Sequence, residues 1–216
     1  MRLILASASP RRAELLRSAG YTFDVVVADV DESIRAGESP STYVRRLAAE
    51  KSAAALSSVV SGFSRTNDRA PGEPHDGPPK GGHYRNGDAA VILGADTTVV
   101  IDGEILGKPC DDEEGRMMLR RLSDKKHQVL TGISLRQGAY EVGRVETTTV
   151  SFRPLTDEDI SWYVASGEGR DKAGGYAIQG LASRFIPGIA GSYSNVVGLP
   201  VACLDELLRS LLASGR

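Results

Sequence analysis

The chain has 216 residues, enough for one sizeable core or two closely packed lobes. Its 26 Lys+Arg against 28 Asp+Glu leave a formal net charge of -2, so no bulk charge draws it to nucleic acid or to an anionic membrane, and any anion chemistry has to be local. The two cysteines, Cys110 and Cys203, are too far apart in sequence for a metal-ligand pair. No apolar run is long enough for a signal peptide or a membrane span, and a reducing, cytoplasmic setting is expected.

Leu3–Ala6 is predicted as a strand and positions 10–19 as a helix, with Ala13, Leu15, Leu16 and Ala19 in helical spacing and Gly20 as the stop. The connection reads Ser7-Ala8-Ser9-Pro10-Arg11-Arg12. Ser9 suits the N-cap and Pro10 the first helical position, so free backbone N–H groups and two guanidiniums meet at one helix start. That combination suits a polyphosphate, whereas a capped surface helix with solvated arginines is the competing account of this segment alone. Phe23–Val27 reads as a second, buried strand, followed by the carboxylates Asp29, Asp31 and Glu32. Ser39-Pro40 opens a helix whose Val44, Leu47 and Ala48 face a core. Lys51 lies near that face, either snorkelling or aimed into a cleft.

Residues 61–88 interleave Gly, Pro, Asn, Asp, Ser and His with charge and lack apolar periodicity. They are expected to be a flexible insertion within a single domain spanning 1–216, and His75 and His83 inside it are not read as a metal site. Ala89–Leu93 is an apolar strand ending in Gly94-Ala95-Asp96-Thr97, which sets Asp96 at a strand's carboxyl end, where open α/β sheets bind ligands. Thr98–Ile101, the Asp102-Gly103 turn and Glu104–Leu106 form a hairpin, with Gly107-Lys108-Pro109 directly after it.

A helix turning Met117, Met118, Leu119 and Leu122 inward comes next, then extended segments around 127–136 and 140–153. Thr156 with Asp159 fits a capping box for a helix that carries Trp162, Tyr163 and Val164 into the core and stops near Gly167. The glycine-rich stretch 172–200 implies a ligand at close range or a series of tight turns. Within it Gln179, flanked by apolar residues and glycine, suits a specific amide contact. The last helix, Ala202–Leu212, is expected to bury Leu204, Leu207, Leu208, Leu211 and Leu212.

These residue types fit one chemistry. A triphosphate repels an attacking water, so its hydrolysis requires cations and donors around the phosphates. Arg11, Arg12, Lys51 and Lys108 supply the cations, and Ser7 with the helix N-terminus adds neutral donors. Glu32 and Asp96 provide hard oxygen ligands for magnesium, and Asp96 would also orient or deprotonate the attacking water.

Seven segments in order, Ser7-Ala8-Ser9-Pro10-Arg11-Arg12, Asp31-Glu32-Ser33, Ala49-Glu50-Lys51, Gly94-Ala95-Asp96-Thr97, Leu106-Gly107-Lys108-Pro109, Ala177-Ile178-Gln179-Gly180 and Ser192 through Pro200, resemble the Maf family over nearly the whole chain. The resemblance implies an α/β fold with a mixed, twisted sheet, flanking helices and two lobes around a deep central cleft. It implies a nucleoside triphosphate pyrophosphatase that uses a divalent cation, magnesium, manganese or cobalt, to release a nucleoside monophosphate and pyrophosphate. On that basis Asp96, Lys51 and Lys108 are catalytic, Ser7, Arg11, Arg12, Thr97 and Gln179 bind substrate, and Glu32 with Asp96 holds the metal. Arg11, Thr97 and Gln179 match the branch acting on dTTP, UTP and modified uridine triphosphates. A homodimer is expected from the same resemblance.

A second reading is a nucleotide-binding regulator of cell division that needs no turnover. The carboxylates argue against it, since a pure polyanion binder gains nothing from Glu32 and Asp96 unless a metal lies between them and the phosphates. RNA or DNA binding fits poorly with the acidic balance and sparse aromatics.

Overall fold

The computed structural model describes residues 2–66 and 90–214. Seven strands, β1 (Leu3–Ala6), β2 (Phe23–Val25), β3 (Val91–Ile101), β4 (Glu104–Leu106), β5 (Lys126–Gln137), β6 (Tyr140–Ser151) and β7 (Gly188–Ala190), build one sheet. Its order is β2-β1-β3-β5-β6-β7, with β4 also paired to β3. β1 runs parallel to β2 and β3, and every other pairing is antiparallel. Among the described residues six helices flank it: α1 (Pro10–Ser18), α2 (Pro40–Thr66), α3 (Asp112–Leu122), α4 (Asp157–Ala165), α5 (Tyr193–Val197) and α6 (Val201–Ser214).

The two faces of β3 differ because successive strand residues point to opposite sides. One face is crossed by α2 at backbone distance. A Cβ added to Gly94 or Gly132 would collide with the carbonyl of Ala48 or Val44, so only glycine lets the helix settle there. The other face carries two separate cores. Leu93, Ala95 and Ile133 pack with Leu16, Leu199, Leu204 and Leu208 in the first. Val99, Ile101 and Val129 pack with Leu119, Leu122, Tyr163 and Phe185 in the second. The same long strands therefore serve two lobes, and Thr97 and Thr131, direct partners in the sheet, lie between them.

Several sequence expectations change. β3 does not end at Leu93 but runs 11 residues, which leaves Asp96 in mid-strand. Its parallel neighbour stops opposite Gly94 and β4 reaches only as far as Val99, so the edge of β3 from Ala95 to Thr98 is not covered by either strand. That gap plays the part expected of a strand end. β2 is short and partly exposed, with Val25 at 49%, because it is the sheet's edge. α2 extends to Thr66, so the first residues of the 61–88 segment are helical, and the rest of that segment, with His75 and His83, lies outside the described residues.

Met117, Trp162 and Leu212 are exposed, not in the core. The buried stripes of α3 and α6 run through Met118, Leu119 and Leu122 and through Leu204, Leu207, Leu208 and Leu211, and Met117 and Leu212 fall one position outside them. Trp162 instead stacks under the Arg184 guanidinium, 4.6 Å from the ring centroid. The capping box at Thr156 and Asp159 is present. Asp102 and Gly103, both with positive φ, make the hairpin turn between β3 and β4.

Candidate active site

A cleft of about 680 Å3 opens at the uncovered edge of β3. Because it meets the strand edge-on, it is lined by consecutive residues from both faces, Asp96 and Thr98 on the α2 side and Thr97 and Val99 on the other. All nine residues singled out in the sequence line it: Ser7, Arg11, Arg12, Glu32, Lys51, Asp96, Thr97, Lys108 and Gln179.

The floor on the α2 side is an ion triad. The Lys51 ammonium lies 2.7 Å from Asp96 Oδ1 and 2.6 Å from Glu32 Oε1. The glycine contacts set α2, the helix that carries Lys51, directly against the strand that carries Asp96. Lys51 and Asp96 are buried, whereas the Glu32 side chain is half exposed at the mouth. Burial pushes the Asp96 pKa up against the charges of Lys51 and Arg12, which favour ionisation. At Glu32 burial also acts upward, but the Lys51 hydrogen bond and the charges of Lys51, Lys108 and Arg12 outweigh it and the pKa falls.

On the opposite side α1 begins directly after β1. Ser9 occupies the N-cap with extended backbone, yet it makes no side-chain cap, contrary to expectation. The neighbouring hydroxyl is engaged instead: Ser7 Oγ accepts from the Ser9 N–H at 3.2 Å and from Arg12 Nη1 at 3.2 Å. The helix start that faces the cleft therefore has no capping side chain, which favours an anion there. Arg12 also donates to the Gly198 carbonyl at 2.8 Å and to Thr97 Oγ1 at 3.0 Å. Burial lowers the pKa of Arg12, with Asp96 opposing, and does the same to Arg11, with Asp171 opposing. An arginine nevertheless keeps its charge in a protein.

Gln179 stands exposed at the far wall, between two 3-10 turns, Ala173–Gly175 and Leu181–Phe185. Its segment is clamped on both sides. The Ala177 N–H donates to Tyr163 Oη at 3.1 Å, and the Glu168 carboxylate accepts from the N–H of Leu181 at 2.9 Å and of Ala182 at 3.4 Å. Gly180 lies against Glu168 with no room for a Cβ. Beneath it Tyr176 bonds the buried His127 ring at 2.7 Å. Lys108, exposed after β4, faces this wall, and the carbonyl of its neighbour Gly107 accepts from the Gly174 N–H at 2.9 Å.

Several contributors were not foreseen. Tyr43 lines the cleft and donates to the Glu32 carbonyl at 3.0 Å, and burial followed by the charges of Asp96 and Glu32 raises its pKa to about 12. Lys172, ion-paired with Asp171, adds a cation to the cleft lining. Gly132 shapes the triad without touching it. Only Lys172 had a local signal, its place in the glycine-rich motif.

Among the described residues no group of three or more His, Cys, Asp or Glu is arranged to hold a metal ion. Glu32 and Asp96 fit the donor set of a cation that keeps waters and takes the rest of its ligands from substrate phosphates, since magnesium needs only one or two protein carboxylates.

Fold and cleft together define a two-lobed α/β protein with a cleft of cations around two carboxylates. The sequence pattern of the Maf-like proteins matches residues 2–211, and the chain belongs to that family. It is 47% identical over 206 residues to the "dTTP/UTP pyrophosphatase" of Symbiobacterium thermophilum, covering 95% of this chain and 92% of the relative. The proteins so named in Anaeromyxobacter dehalogenans and Vibrio vulnificus are 45% and 40% identical, covering 96% and 98% of this chain and 93% and 99% of theirs. The solved Ham1 protein of Staphylococcus aureus aligns over 100% of both chains at 14% identity and a TM-score of 0.48, a likeness too weak to argue from.

Proposed function

We propose that the chain hydrolyses dTTP, UTP and modified uridine triphosphates at the α–β phosphoanhydride and so clears unwanted nucleotides from the pool. The relatives' name, dTTP/UTP pyrophosphatase, supports dTTP and UTP as substrates and the pyrophosphatase reaction. The observation that carries the reading is the Lys51 ammonium held 2.6 Å and 2.7 Å from two carboxylates, with the Arg12 side of the same cleft across from it. Carboxylates among phosphate-binding cations serve turnover, not simple anion binding.

In this reading Arg11, Arg12, Ser7 and the α1 N-terminus hold the phosphate chain, and Lys108 neutralises it from the opposite wall. Asp96 orients a water toward the α-phosphorus and accepts its proton. A new bond forms between that water oxygen and phosphorus, the bridge to the β-phosphorus breaks, and pyrophosphate leaves. Lys51 keeps Asp96 placed and favours its ionised form, which burial opposes. Glu32 and Asp96 would hold a divalent cation, magnesium, manganese or cobalt, which supplies charge neutralisation and a more acidic water when bound. Gln179 reads the base, its amide donating to a base carbonyl.

No helix among the described residues is long and apolar enough to cross a membrane. The substrate is a free nucleotide of the cytoplasm, with no nucleic acid or membrane partner, and the protein acts as a homodimer, which sedimentation would test. The deciding experiment is pyrophosphate release with magnesium or manganese across the four common ribonucleotides, dTTP and modified uridine triphosphates. Turnover confined to uracil-like and thymine-like bases, and cut about 100-fold or more in a folded Asp96→Asn variant, is expected. Nucleotide binding by the wild type with no pyrophosphate from any substrate would favour the regulatory reading.

A further inference from the structure

Thr131 and the Asn195–Gly198 turn touch none of the carboxylates, yet they are joined to Arg12 by a closed circuit of hydrogen bonds. Arg12 Nη2 donates to Thr97 Oγ1 at 3.0 Å, Thr97 and Thr131 share a hydroxyl bond at 3.0 Å, and Thr131 Oγ1 donates to the Asn195 carbonyl at 3.1 Å. The Gly198 N–H reaches the same carbonyl at 3.0 Å, and the Gly198 carbonyl accepts from Arg12 Nε at 2.8 Å. Each hydroxyl has one proton. Since Thr131 gives its proton to the Asn195 carbonyl, Thr97 is the donor in the pair, and its proton is shared between Thr131 and the Gly198 carbonyl 3.3 Å away.

The turn is itself bolted down. Asn195 Nδ2 donates to the Val129 carbonyl and to Thr148 Oγ1, both at 3.0 Å, and Gly198 has φ 128, a conformation that suits glycine. Thr131 and Asn195 are both fully buried. The circuit lies in the polar layer between the two apolar cores, where an unmade hydrogen bond costs most.

We propose that Thr131, acting through Thr97 and the Asn195–Gly198 turn, is a positioning residue that sets the Arg12 guanidinium for the substrate's phosphates. This rests on the reading of Arg12 as a phosphate ligand. It also gives Thr97 a part apart from base choice: its hydroxyl is committed to Arg12, Thr131 and the Gly198 carbonyl.

The test compares Thr131→Val, which keeps the shape and removes the hydroxyl, with Thr131→Ser, which keeps the hydroxyl. UTP affinity is measured at equilibrium with divalent ions chelated, beside kcat and KM with magnesium. Thr131→Val is expected to weaken UTP binding and raise KM about fivefold to tenfold, the worth of one lost hydrogen bond, while Thr131→Ser recovers most of it. In an Arg12→Ala background Thr131→Val should change UTP affinity no further, because it acts through the missing group. Equal affinity in wild type and Thr131→Val, equal losses in Val and Ser variants, or an unchanged Val effect without Arg12 would overturn the proposal. Absence of pyrophosphate release by wild type would count against the enzyme reading alone, since the affinity measurements stand without turnover.

Discussion

His127 is buried with one ring nitrogen bonded to Tyr176 and the other, Nδ1, without a hydrogen-bond partner. Burial lowers its pKa from 6.5 to about 4. Between those values the unfolded chain binds a proton that the native protein refuses, so stability is intact at neutral pH and falls as pH drops through that window, by at most about 3 kcal/mol. A urea titration across the window should show the acid slope in wild type and a flatter one in His127→Phe. An identical slope would assign acid sensitivity to other groups. At the other end of the same wall, Gln179→Glu puts an acceptor where the base carbonyl requires a donor, and turnover of UTP and dTTP should fall about tenfold or more relative to other nucleotides. An unchanged nucleotide ranking would remove Gln179 from base reading.

At the scale of elements, the contact of α2 with the sheet governs the triad. Gly132→Ala places a Cβ against the Val44 carbonyl, and the helix has to lift. A loss of about 1–3 kcal/mol in urea is expected, with reduced turnover of the folded fraction, because Lys51 rides on the same helix. Gly188→Ala on β7, where the added carbon meets nothing within 4 Å, should stay within about 0.5 kcal/mol and serves as the control. Local signals marked many elements: the first strand, the proline-started helix, the Asp102-Gly103 hairpin and the Thr156 capping box each depend on a few neighbouring residues. The motifs that carry the family resemblance marked the nine charged and polar residues that meet in the cleft. What stayed hidden needed tertiary pairing. Gly94 looked like a strand end because its reason for being there is a helix more than 40 residues earlier in the chain, near Ala48. The hydroxyl of Thr131 is likewise ordinary until Thr97 stands opposite it.

At the scale of the molecule, the cleft draws on both lobes: Arg12 and Ser7 belong to the first, and Lys108 and Gln179 border the second. A nucleotide that spans them should stabilise the fold as a unit. UTP at a hundredfold excess over its Kd, with metal chelated, should add about 2.7 kcal/mol and raise Tm by roughly 5–10 °C. An equal shift with ATP at the same concentration would mean that the cleft senses phosphates and not the base.

The continuity of β3 and β5 through both cores has a thermodynamic consequence. In β3, Leu93 and Ala95 belong to one core and Val99 and Ile101 to the other, with no loop between them that could act as a joint. Melting one core would pull register from the strand that supports its neighbour. Heat should therefore unfold the protein in one transition, with calorimetric and van't Hoff enthalpies equal, despite its two lobes.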